Sequence, residues 1–313
     1  MCRLPRSGRV EWPLAVLAVT LCVCPSRAQP ATAPGWDSLR ALYDYDASAP
    51  LEAHEGPVAE AGPNLRQHVT FRSVNGETVP GLLLKPKGVE QPPCVFVLHG
   101  AGLSKDSFVP LFATFLCPRG YAVFGIDAAL HGERPGAGRK TPASEVGAIV
   151  RAAHQTIVDC RRAFDYLQTR SDLDTGRVAY LGASMGAIFG AVVCGVDERF
   201  KCPILVVGGG DLPTLFSAVA HSRGESVPEP PGGLAALEAG LDPVNFVGHI
   251  APRPVLMING TQDEVIPRPC AEALHQAAQE PKEAVWLEAN HLLFPQQVEA
   301  GQKMVSWLDA HLR

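Results

Sequence analysis

Residues 182–186 read G-A-S-M-G and place a serine in the pattern G-x-S-x-G. They directly follow residues 178–181, whose apolar side chains predict a strand, and residues 185–195 predict a helix. A serine at such a strand-to-helix turn exposes its Oγ above the edge of a sheet, where it can attack an acyl carbon. The small residues could instead serve only to pack the helix on the strand, but the strand–turn–helix context favours a nucleophile. We therefore expect Ser184 to be a catalytic nucleophile.

A serine hydroxyl becomes a good nucleophile only when a base takes its proton, and histidine is the most common such base. The chain has ten histidines, and His291 is the one that follows the last predicted strand, residues 284–287. Because the carboxyl ends of parallel strands carry the active site, His291 and Ser184 are expected at the same edge of the sheet. The sequence therefore predicts His291 as the catalytic base.

The base in turn needs a carboxylate that fixes its tautomer and stabilises its protonated form. Asp263 follows the predicted strand of residues 254–258, and Asp211 follows that of residues 203–207. Both aspartates fit the chain order Ser–Asp–His, so order alone leaves the two alternatives open. The tight loop of residues 262–267 is well suited to aim one carboxylate, and we expect Asp263 to complete a triad.

The negative charge that develops on an attacked carbonyl oxygen needs hydrogen-bond donors. Residues 99–102 read H-G-A-G after an apolar strand, and the glycines allow the backbone to approach a substrate. We expect the N–H groups of Ala101 and Met185 to form this oxyanion hole. His99 is expected to hold the loop by hydrogen bonds. Hydrogen-bonded support is also expected from the loop after the next strand, Asp127 and residues 131–134.

Apolar runs that predict strands alternate with amphipathic stretches that predict helices from residue 94 onward. This alternation indicates βαβ units, and the continuous apolar runs indicate strands buried on both faces of a sheet. The predicted fold class is therefore α/β, with a mainly parallel sheet flanked by helices. Upstream, apolar residues on both sides of Asn75-Gly76 predict a hairpin. On the longest predicted helix, residues 143–169, the following side chains are expected to be solvated: His154, Asp159, Arg161, Arg162 and Asp165.

Residues 208–250 interrupt the alternation with glycine- and proline-rich stretches and short helical pieces. Because this segment is too small to have a core of its own, we expect it to form a cap or lid over the strand ends. It then belongs to a single α/β domain of residues 66–313. Residues 29–65 are expected to form a linker and a short helical segment.

The N-terminus predicts export. Arg3, Arg6 and Arg9 precede an apolar run, residues 13–24, and small residues follow at Ser26 and Ala28. These features are typical of a secretory signal. An uncleaved membrane anchor would need a longer apolar run, of about 20 residues. We expect a signal peptide of residues 1–28 and a secreted or periplasmic protein, with no stable membrane insertion after cleavage.

The composition is that of a globular protein, with 46% hydrophobic and 19% charged residues. A net charge of −5 without a lysine- or arginine-rich run argues against a nucleic-acid partner. The sequence has neither a CxxC pair nor an HExxH motif, so neither a metal nor a cofactor is expected. Export, together with an even number of cysteines after cleavage, predicts at least one disulfide, with Cys194–Cys202 as the expected pair.

From about residue 66 to the C-terminus, the chain resembles the dienelactone-hydrolase-like and acetyl-xylan-esterase-like bacterial members of the α/β-hydrolase superfamily. The matching residues are H-G-A-G at 99–102, Asp127 with H-G-E-R at 131–134, G-A-S-M-G at 182–186, Asp263 and His291. The resemblance implies the α/β-hydrolase fold and a cofactor-free hydrolase of carboxylic esters. One residue departs from the family pattern, because dienelactone hydrolases proper use cysteine as the nucleophile and this chain has Ser184.

Hydrolysis of a small-molecule ester through an acyl-enzyme is the leading expectation. A peptidase of the prolyl-oligopeptidase type shares the same set of residues and is the alternative among enzymes, although the sequence shows no propeller repeat. A binding protein without catalysis is an alternative of another class, but such proteins usually lose a member of the triad. Small apolar residues interrupted by charges at 218–228 predict a preference for short acyl groups.

Overall fold

The structure of the protein is a computed structural model that describes residues 35–138, 146–222, 224 and 240–313. The predicted signal peptide, residues 1–28, lies outside these ranges, so export stays a prediction. The proline- and glycine-rich residues 228–233 of the predicted lid also lie outside them.

The strands of the described residues form a single sheet. They are β1 His54–Glu55, β2 Ala59–Ala61, β3 Asn64–Arg72, β4 Thr78–Pro86, β5 Pro93–Leu98, β6 Ala122–Ile126, β7 Asp174–Ala183, β8 Ile204–Val206, β9 Val255–Gly260 and β10 Lys282–Leu287. Their order across the sheet is β1-β3-β4-β6-β5-β7-β8-β9-β10, and β2 pairs with β3. The strands from β6 to β10 in this order run parallel, whereas the pairs that involve β1 to β4 are antiparallel. The predicted α/β class with a mainly parallel sheet is confirmed.

Helices cover both faces of the sheet. Within the described ranges, the α-helices are α1 Trp36–Ala41, α2 Lys105–Leu116, α3 Val146–Gln168, α4 Met185–Val196, α5 Leu212–Ser222, α6 Arg268–Ala277 and α7 Gln297–His311. One core cluster contains residues of α3, α4 and α6, and a second contains residues of α2 and α7. In these ranges, no helix is both long enough and apolar enough to cross a bilayer.

Strand β5 shows why the central strands are apolar throughout. Its alternate residues Cys94, Phe96 and Leu98 belong to one core cluster, and Val95 and Val97 belong to the other. Since successive side chains of a strand point to opposite faces, a strand covered by helices on both sides needs apolar residues at every position. The continuous apolar runs of the sequence therefore predicted the central sheet correctly.

The predicted hairpin around Asn75-Gly76 is also present. Strands β3 and β4 pair antiparallel on either side of a 3-10 turn, Val74–Gly76. Asn75 has a φ of 59° and Gly76 a φ of 70°. Asparagine and glycine are the residues that adopt this left-handed region most readily.

Helix α3 differs from the prediction, because its polar side is not uniformly solvated. Asp159 and Arg162 are almost completely buried. The N-terminal segment packs over this side of α3, and the Arg162 guanidinium donates hydrogen bonds to the carbonyl oxygens of Ala47 at 3.4 Å and Ala49 at 2.8 Å. Arg161 donates to the carbonyl oxygen of Tyr43 in the same way. The segment before residue 66 therefore covers α3, and it also contributes β1, β2 and the first residues of β3 to the sheet.

The C-terminal part of the predicted lid, residues 240–250, contributes to the core. Phe246, Val247 and Ile250 have essentially no exposed surface. A Cβ atom on Gly195 of α4 would lie only 2.6 Å from the Phe246 carbonyl oxygen, so α4 packs directly against this stretch. For residues 225–239 the lid stays a prediction, because they lie outside the described ranges.

The predicted disulfide is not formed. All six cysteines of the described residues are free thiols, and all are buried. Cys194 lies at the C-terminal end of α4 and Cys202 precedes β8, and both belong to the apolar core. The prediction of a Cys194–Cys202 bond was therefore wrong, and these thiols act as small apolar side chains.

Candidate active site

Ser184 lies between the last residue of β7 and the first residue of α4, as the sequence predicted. Its φ of 55° and ψ of −118° form a backbone conformation that residues other than glycine rarely adopt. Such strain costs on the order of 1–3 kcal/mol and persists only where surrounding contacts enforce it. One of these contacts is the hydrogen bond from the Ser184 N–H to the Val206 carbonyl oxygen of β8, at 2.9 Å. The serine is therefore held at a sharp turn above the carboxyl edge of the sheet.

The two glycines of the G-x-S-x-G pattern make this turn sterically possible. A Cβ atom on Gly182 would lie 2.1 Å from the carbonyl oxygen of Gly186. A Cβ atom on Gly186 would lie 2.1 Å from the carbonyl oxygen of Leu98, in the neighbouring strand β5. Both distances are shorter than any real contact, so neither position accepts a side chain without a backbone shift.

Ser184, His291 and Asp263 form a continuous chain of hydrogen bonds. The distance from His291 Nε2 to Ser184 Oγ is 3.0 Å, and His291 Nδ1 lies 2.9 and 2.8 Å from the two carboxylate oxygens of Asp263. The Asp263 side chain is 4% exposed and that of His291 is 12% exposed. The carboxylate is therefore shielded, while the imidazole still reaches the surface on which a substrate would lie.

Backbone amides aim the Asp263 carboxylate. Its Oδ1 accepts hydrogen bonds from the N–H groups of Val265 at 2.8 Å and Ile266 at 2.9 Å. The other candidate aspartate is engaged elsewhere, because Asp211 Oδ1 accepts a hydrogen bond from the Thr214 N–H at the start of α5. Of the two alternatives that the sequence left open, the structure thus brings Asp263 and not Asp211 to His291.

The loop that carries Ala101 lies against the nucleophile turn. A Cβ atom on Gly100 would lie 3.4 Å from Ser184 Cβ, which is van der Waals contact. Met185 is the first residue of α4, where main-chain N–H groups have no helical acceptor and the helix dipole favours negative charge. The N–H groups of Ala101 and Met185 therefore belong to two adjoining backbone segments beside Ser184 Oγ.

His99 fixes the peptide group that precedes Ala101. Its Nε2 accepts a hydrogen bond from the Ala128 N–H at 3.1 Å, so the proton is on Nδ1, which donates to the Gly100 carbonyl oxygen at 2.8 Å. Burial lowers the pKa of His99, which favours this neutral tautomer. Leu103 N–H donates to the same carbonyl oxygen at 3.2 Å. Since C=O and N–H point in opposite directions in a trans peptide, fixing the Gly100 carbonyl also fixes the direction of the Ala101 N–H.

The end of this loop is held by a buried ion pair that the sequence patterns did not predict. Lys105, the first residue of α2, donates its N–H to Asp127 Oδ1 at 2.8 Å and its Nζ to Asp127 Oδ2 at 2.9 Å. Its ammonium group also contacts Glu133. Both Lys105 and Asp127 have fully buried side chains. Ala128, through His99, and Asp127, through Lys105, therefore anchor the two ends of the loop of residues 99–105. The support that the sequence led us to expect from Asp127 thus acts on Lys105.

Replacement of Lys105 by methionine should lower the free energy of unfolding by about 3–5 kcal/mol, because it leaves the Asp127 carboxylate buried without its cation. Chemical denaturation of the wild type and the variant measures this difference. Lys87→Met is the matched control, since Lys87 pairs with Glu60 at the surface and such pairs contribute about 0–1 kcal/mol. Equal losses in the two variants would contradict the structural role of the buried pair.

Similarity to known proteins supports this fold. The model of the prolyl oligopeptidase family matches residues 148–313. The esterase YjfP of Escherichia coli is 26% identical over 211 residues, which are 64% of this chain and 82% of YjfP. The structure of an acetyl xylan esterase from Paenibacillus sp. R4 matches with a TM-score of 0.71 and 21% identity, over 88% of this chain and 93% of that one. The structure of acetyl xylan esterase 1 from Thermoanaerobacterium sp. JW/SL YS485 matches with a TM-score of 0.72 and 16% identity, over 87% of this chain and 92% of that one. The α/β-hydrolase fold implied by the sequence resemblance is confirmed.

Proposed function

Since the chain belongs to the prolyl oligopeptidase family, we propose that it is a serine hydrolase that cleaves carboxylic esters, with Ser184, His291 and Asp263 as its catalytic triad. The observation that carries this proposal is the hydrogen-bonded chain from Ser184 Oγ through His291 to Asp263, with distances of 3.0 and 2.8 Å. Ester hydrolysis is further supported by the likeness to the esterase YjfP.

The first half of the reaction forms an acyl-enzyme. Ser184 Oγ attacks the acyl carbon while His291 Nε2 takes its proton, and Asp263 stabilises the imidazolium. The carbonyl oxygen becomes an oxyanion, and the N–H groups of Ala101 and Met185 are its donors, each worth ~2.7–4 kcal/mol in the transition state. The tetrahedral intermediate then collapses as His291 gives the proton to the leaving alcohol. The acyl group stays on Ser184 Oγ.

The second half reverses these roles with water. His291 takes a proton from the water that attacks the acyl carbon, and the same donors hold the second oxyanion. Collapse breaks the bond to Ser184 Oγ, which regains a proton from His291, and the carboxylic acid leaves. Apart from the attacking water, each step uses groups that the chain itself supplies. Among the described residues, no cluster of His, Cys, Asp and Glu could hold a metal ion.

Peptide hydrolysis is the second candidate function, and the match to the prolyl oligopeptidase family favours it. The two candidates differ in the bond that is broken, since an amide is far less reactive than an activated ester. Purified protein is therefore tested with p-nitrophenyl acetate and with a peptide p-nitroanilide that has proline before the scissile bond. Turnover of the ester alone supports the esterase, whereas a higher kcat/KM for the anilide would contradict it.

We expect kcat/KM to decline along a series of p-nitrophenyl esters from acetate to palmitate. The residues expected near the acyl group are small, with Ala218 and Ala220 on α5. Burial of a methylene group contributes about 0.8 kcal/mol to binding, and a pocket that is too small to bury an added methylene does not gain this free energy. Initial rates across the series measure the preference. A maximum at about eight carbons or more would contradict the preference for short acyl groups.

Export is proposed as well, on the strength of the N-terminal pattern of Arg3, Arg6 and Arg9, the apolar run and Ala28. The mature protein should then begin at Gln29 and be found outside the cytoplasm. Intact mass measurement of the protein from the culture medium or periplasm tests the cleavage site. Full-length protein confined to the cytoplasm would contradict export.

A further inference from the structure

Exposed apolar side chains gather on the loops that carry the proposed catalytic residues. Large apolar side chains are usually buried, and an exposed group of them indicates a binding surface. Four such side chains are Leu103, Val265, Leu292 and Phe294, which are 46%, 42%, 75% and 63% exposed. We call these four residues the apolar rim.

Every member of the apolar rim lies close along the chain to a residue of the site. Leu103 is two residues after Ala101, Val265 is two residues after Asp263, and Leu292 directly follows His291. Consecutive Cα atoms are ~3.8 Å apart, so the Cα atom of each of these residues lies within about 8 Å of that of a site residue. Leu103 approaches the nucleophile turn, since a Cβ atom on Gly100 would lie 4.0 Å from Leu103 Cδ1 and 3.4 Å from Ser184 Cβ.

The loop after His291 holds two rim residues in a fixed outward position. Asn290 Oδ1 accepts hydrogen bonds from the N–H groups of Leu292 at 3.0 Å and Phe294 at 3.1 Å, and the Asn290 N–H donates to the Phe294 carbonyl oxygen at 3.1 Å. Leu293 between them is buried in the core. The exposure of Leu292 and Phe294 therefore follows from a hydrogen-bonded loop that is anchored by a core residue.

The chemistry of the site indicates which part of a substrate meets the apolar rim. In the acylation step the leaving alcohol takes its proton from His291 Nε2, so the alcohol oxygen must lie on the His291 side of the scissile carbon. Val265, Leu292 and Phe294 belong to the two loops that carry Asp263 and His291. The alcohol part of the ester, rather than its acyl part, thus lies on the side of the site to which these two loops belong.

We propose that the apolar rim binds the alcohol part of the substrate, and that the physiological substrates are esters of apolar aryl or alkyl alcohols rather than of sugars or other polyols. This inference rests on the proposed ester hydrolase function. The four rim side chains have no hydrogen-bonding atom, so they offer nothing to replace the water that a polyol gives up. An apolar alcohol gains by burial against them, at about 25 cal/mol per Å² of apolar surface.

The test compares acetates that share one acyl group and differ in the alcohol. Acetates of 2-phenylethanol, glycerol and methanol give the same acetyl-enzyme, so kcat/KM reports the acylation step in which the alcohol is still bound. Each value is corrected for the rate at which hydroxide hydrolyses the same ester. We expect kcat/KM for 2-phenylethyl acetate to exceed that for glycerol monoacetate about tenfold or more. Equal values, or a higher value for the glycerol ester, would overturn the proposal.

Two variants and a control connect this preference to the apolar rim. Leu292→Ala and Phe294→Ala should each lower kcat/KM for 2-phenylethyl acetate at least about fivefold, while methyl acetate changes less than twofold. Leu111→Ala is the matched control, because Leu111 on α2 is 56% exposed and is not near the site in sequence. An equal loss on both acetates would overturn the role of the rim.

Sedimentation and vesicle binding distinguish a substrate-binding rim from a protein interface or a membrane-binding surface. If the wild type sediments as a dimer and Phe294→Ala as a monomer, the rim is an interface between two copies and the proposal is overturned. If the wild type, but not the variant, binds phospholipid vesicles, the rim contacts a lipid surface and the proposal is likewise overturned. Failure of the proposed ester hydrolase function is distinguishable, since the wild type would then hydrolyse none of the acetates, whatever their alcohol.

Discussion

Ser184→Ala should abolish labelling by a fluorophosphonate and lower kcat for ester hydrolysis by a factor on the order of 10⁶, the loss typical of a triad without its nucleophile. The variant keeps the N–H groups of Ala101 and Met185, so a small residual rate above that of water is expected. Mass spectrometry of the labelled protein and p-nitrophenyl acetate kinetics measure the two effects.

The fold of this variant is expected to remain intact, because the Ser184 hydroxyl contacts the solvent-facing His291 and its backbone hydrogen bond to Val206 is retained. Ser48→Ala serves as the control. Its hydroxyl donates to Asp46 on the surface and has no part in the site. Persistent labelling of the Ser184→Ala protein would mean that another residue is the nucleophile.

Asp263→Asn should lower kcat by a factor of about 10⁴ and leave the fold unchanged. The amide can present its NH₂ group to His291 Nδ1, which stabilises the tautomer that carries its proton on Nε2. His291 would then donate toward Ser184 Oγ rather than accept its proton. Both carboxylate oxygens of Asp263 lie within hydrogen-bond distance of His291 Nδ1, at 2.8 and 2.9 Å, so the tautomer of His291 depends directly on this side chain.

Asp211→Asn is the matched control for this prediction. Asp211 stands at the start of α5 and accepts a hydrogen bond from Thr214 at 3.3 Å, whereas His291 Nδ1 is bound by Asp263. Its replacement should therefore change kcat by less than about threefold, since an asparagine accepts the same hydrogen bond. A crippling effect at Asp211 with a mild one at Asp263 would exchange the roles of the two aspartates.

The strand ends explain why the candidate site could be predicted from sequence. Ser184 and Asp263 follow strands with buried central residues, and His291 follows the edge strand β10, whose apolar residues 284–287 also predicted a strand. Parallel strands end at the same edge of the sheet. The distances among the three side chains could not be predicted, and chain order alone did not choose between Asp263, which the tight loop favoured, and Asp211. That choice depends on the backbone amides of Val265 and Ile266, whose direction is set by the loop conformation and not by residue type.

Burial of charged residues was harder to predict, because it depends on parts of the chain that are distant in sequence. The periodicity of α3 predicts only which side faces the sheet. It gave no sign that on the other side the N-terminal segment covers Arg162 and that Arg134 pairs with the buried Asp159. Lys105 was missed for the same reason. A lysine at a helix start is ordinarily exposed, and the partners that allow its burial, Asp127 and Glu133, come from the next strand–loop unit.

The contact of the N-terminal segment with α3 has a consequence for the order of folding. The acceptors of the Arg162 guanidinium, the carbonyls of Ala47 and Ala49, precede it by 115 and 113 residues. During vectorial synthesis the segment emerges first, yet it has no docking site until α3 has formed, so it is among the last parts to become protected from proteolysis. A processing enzyme that removed residues up to Ala49 would deprive a buried cation of two acceptors and lower the yield of folded protein. The cleavage proposed after Ala28 leaves this segment intact, as the contact requires.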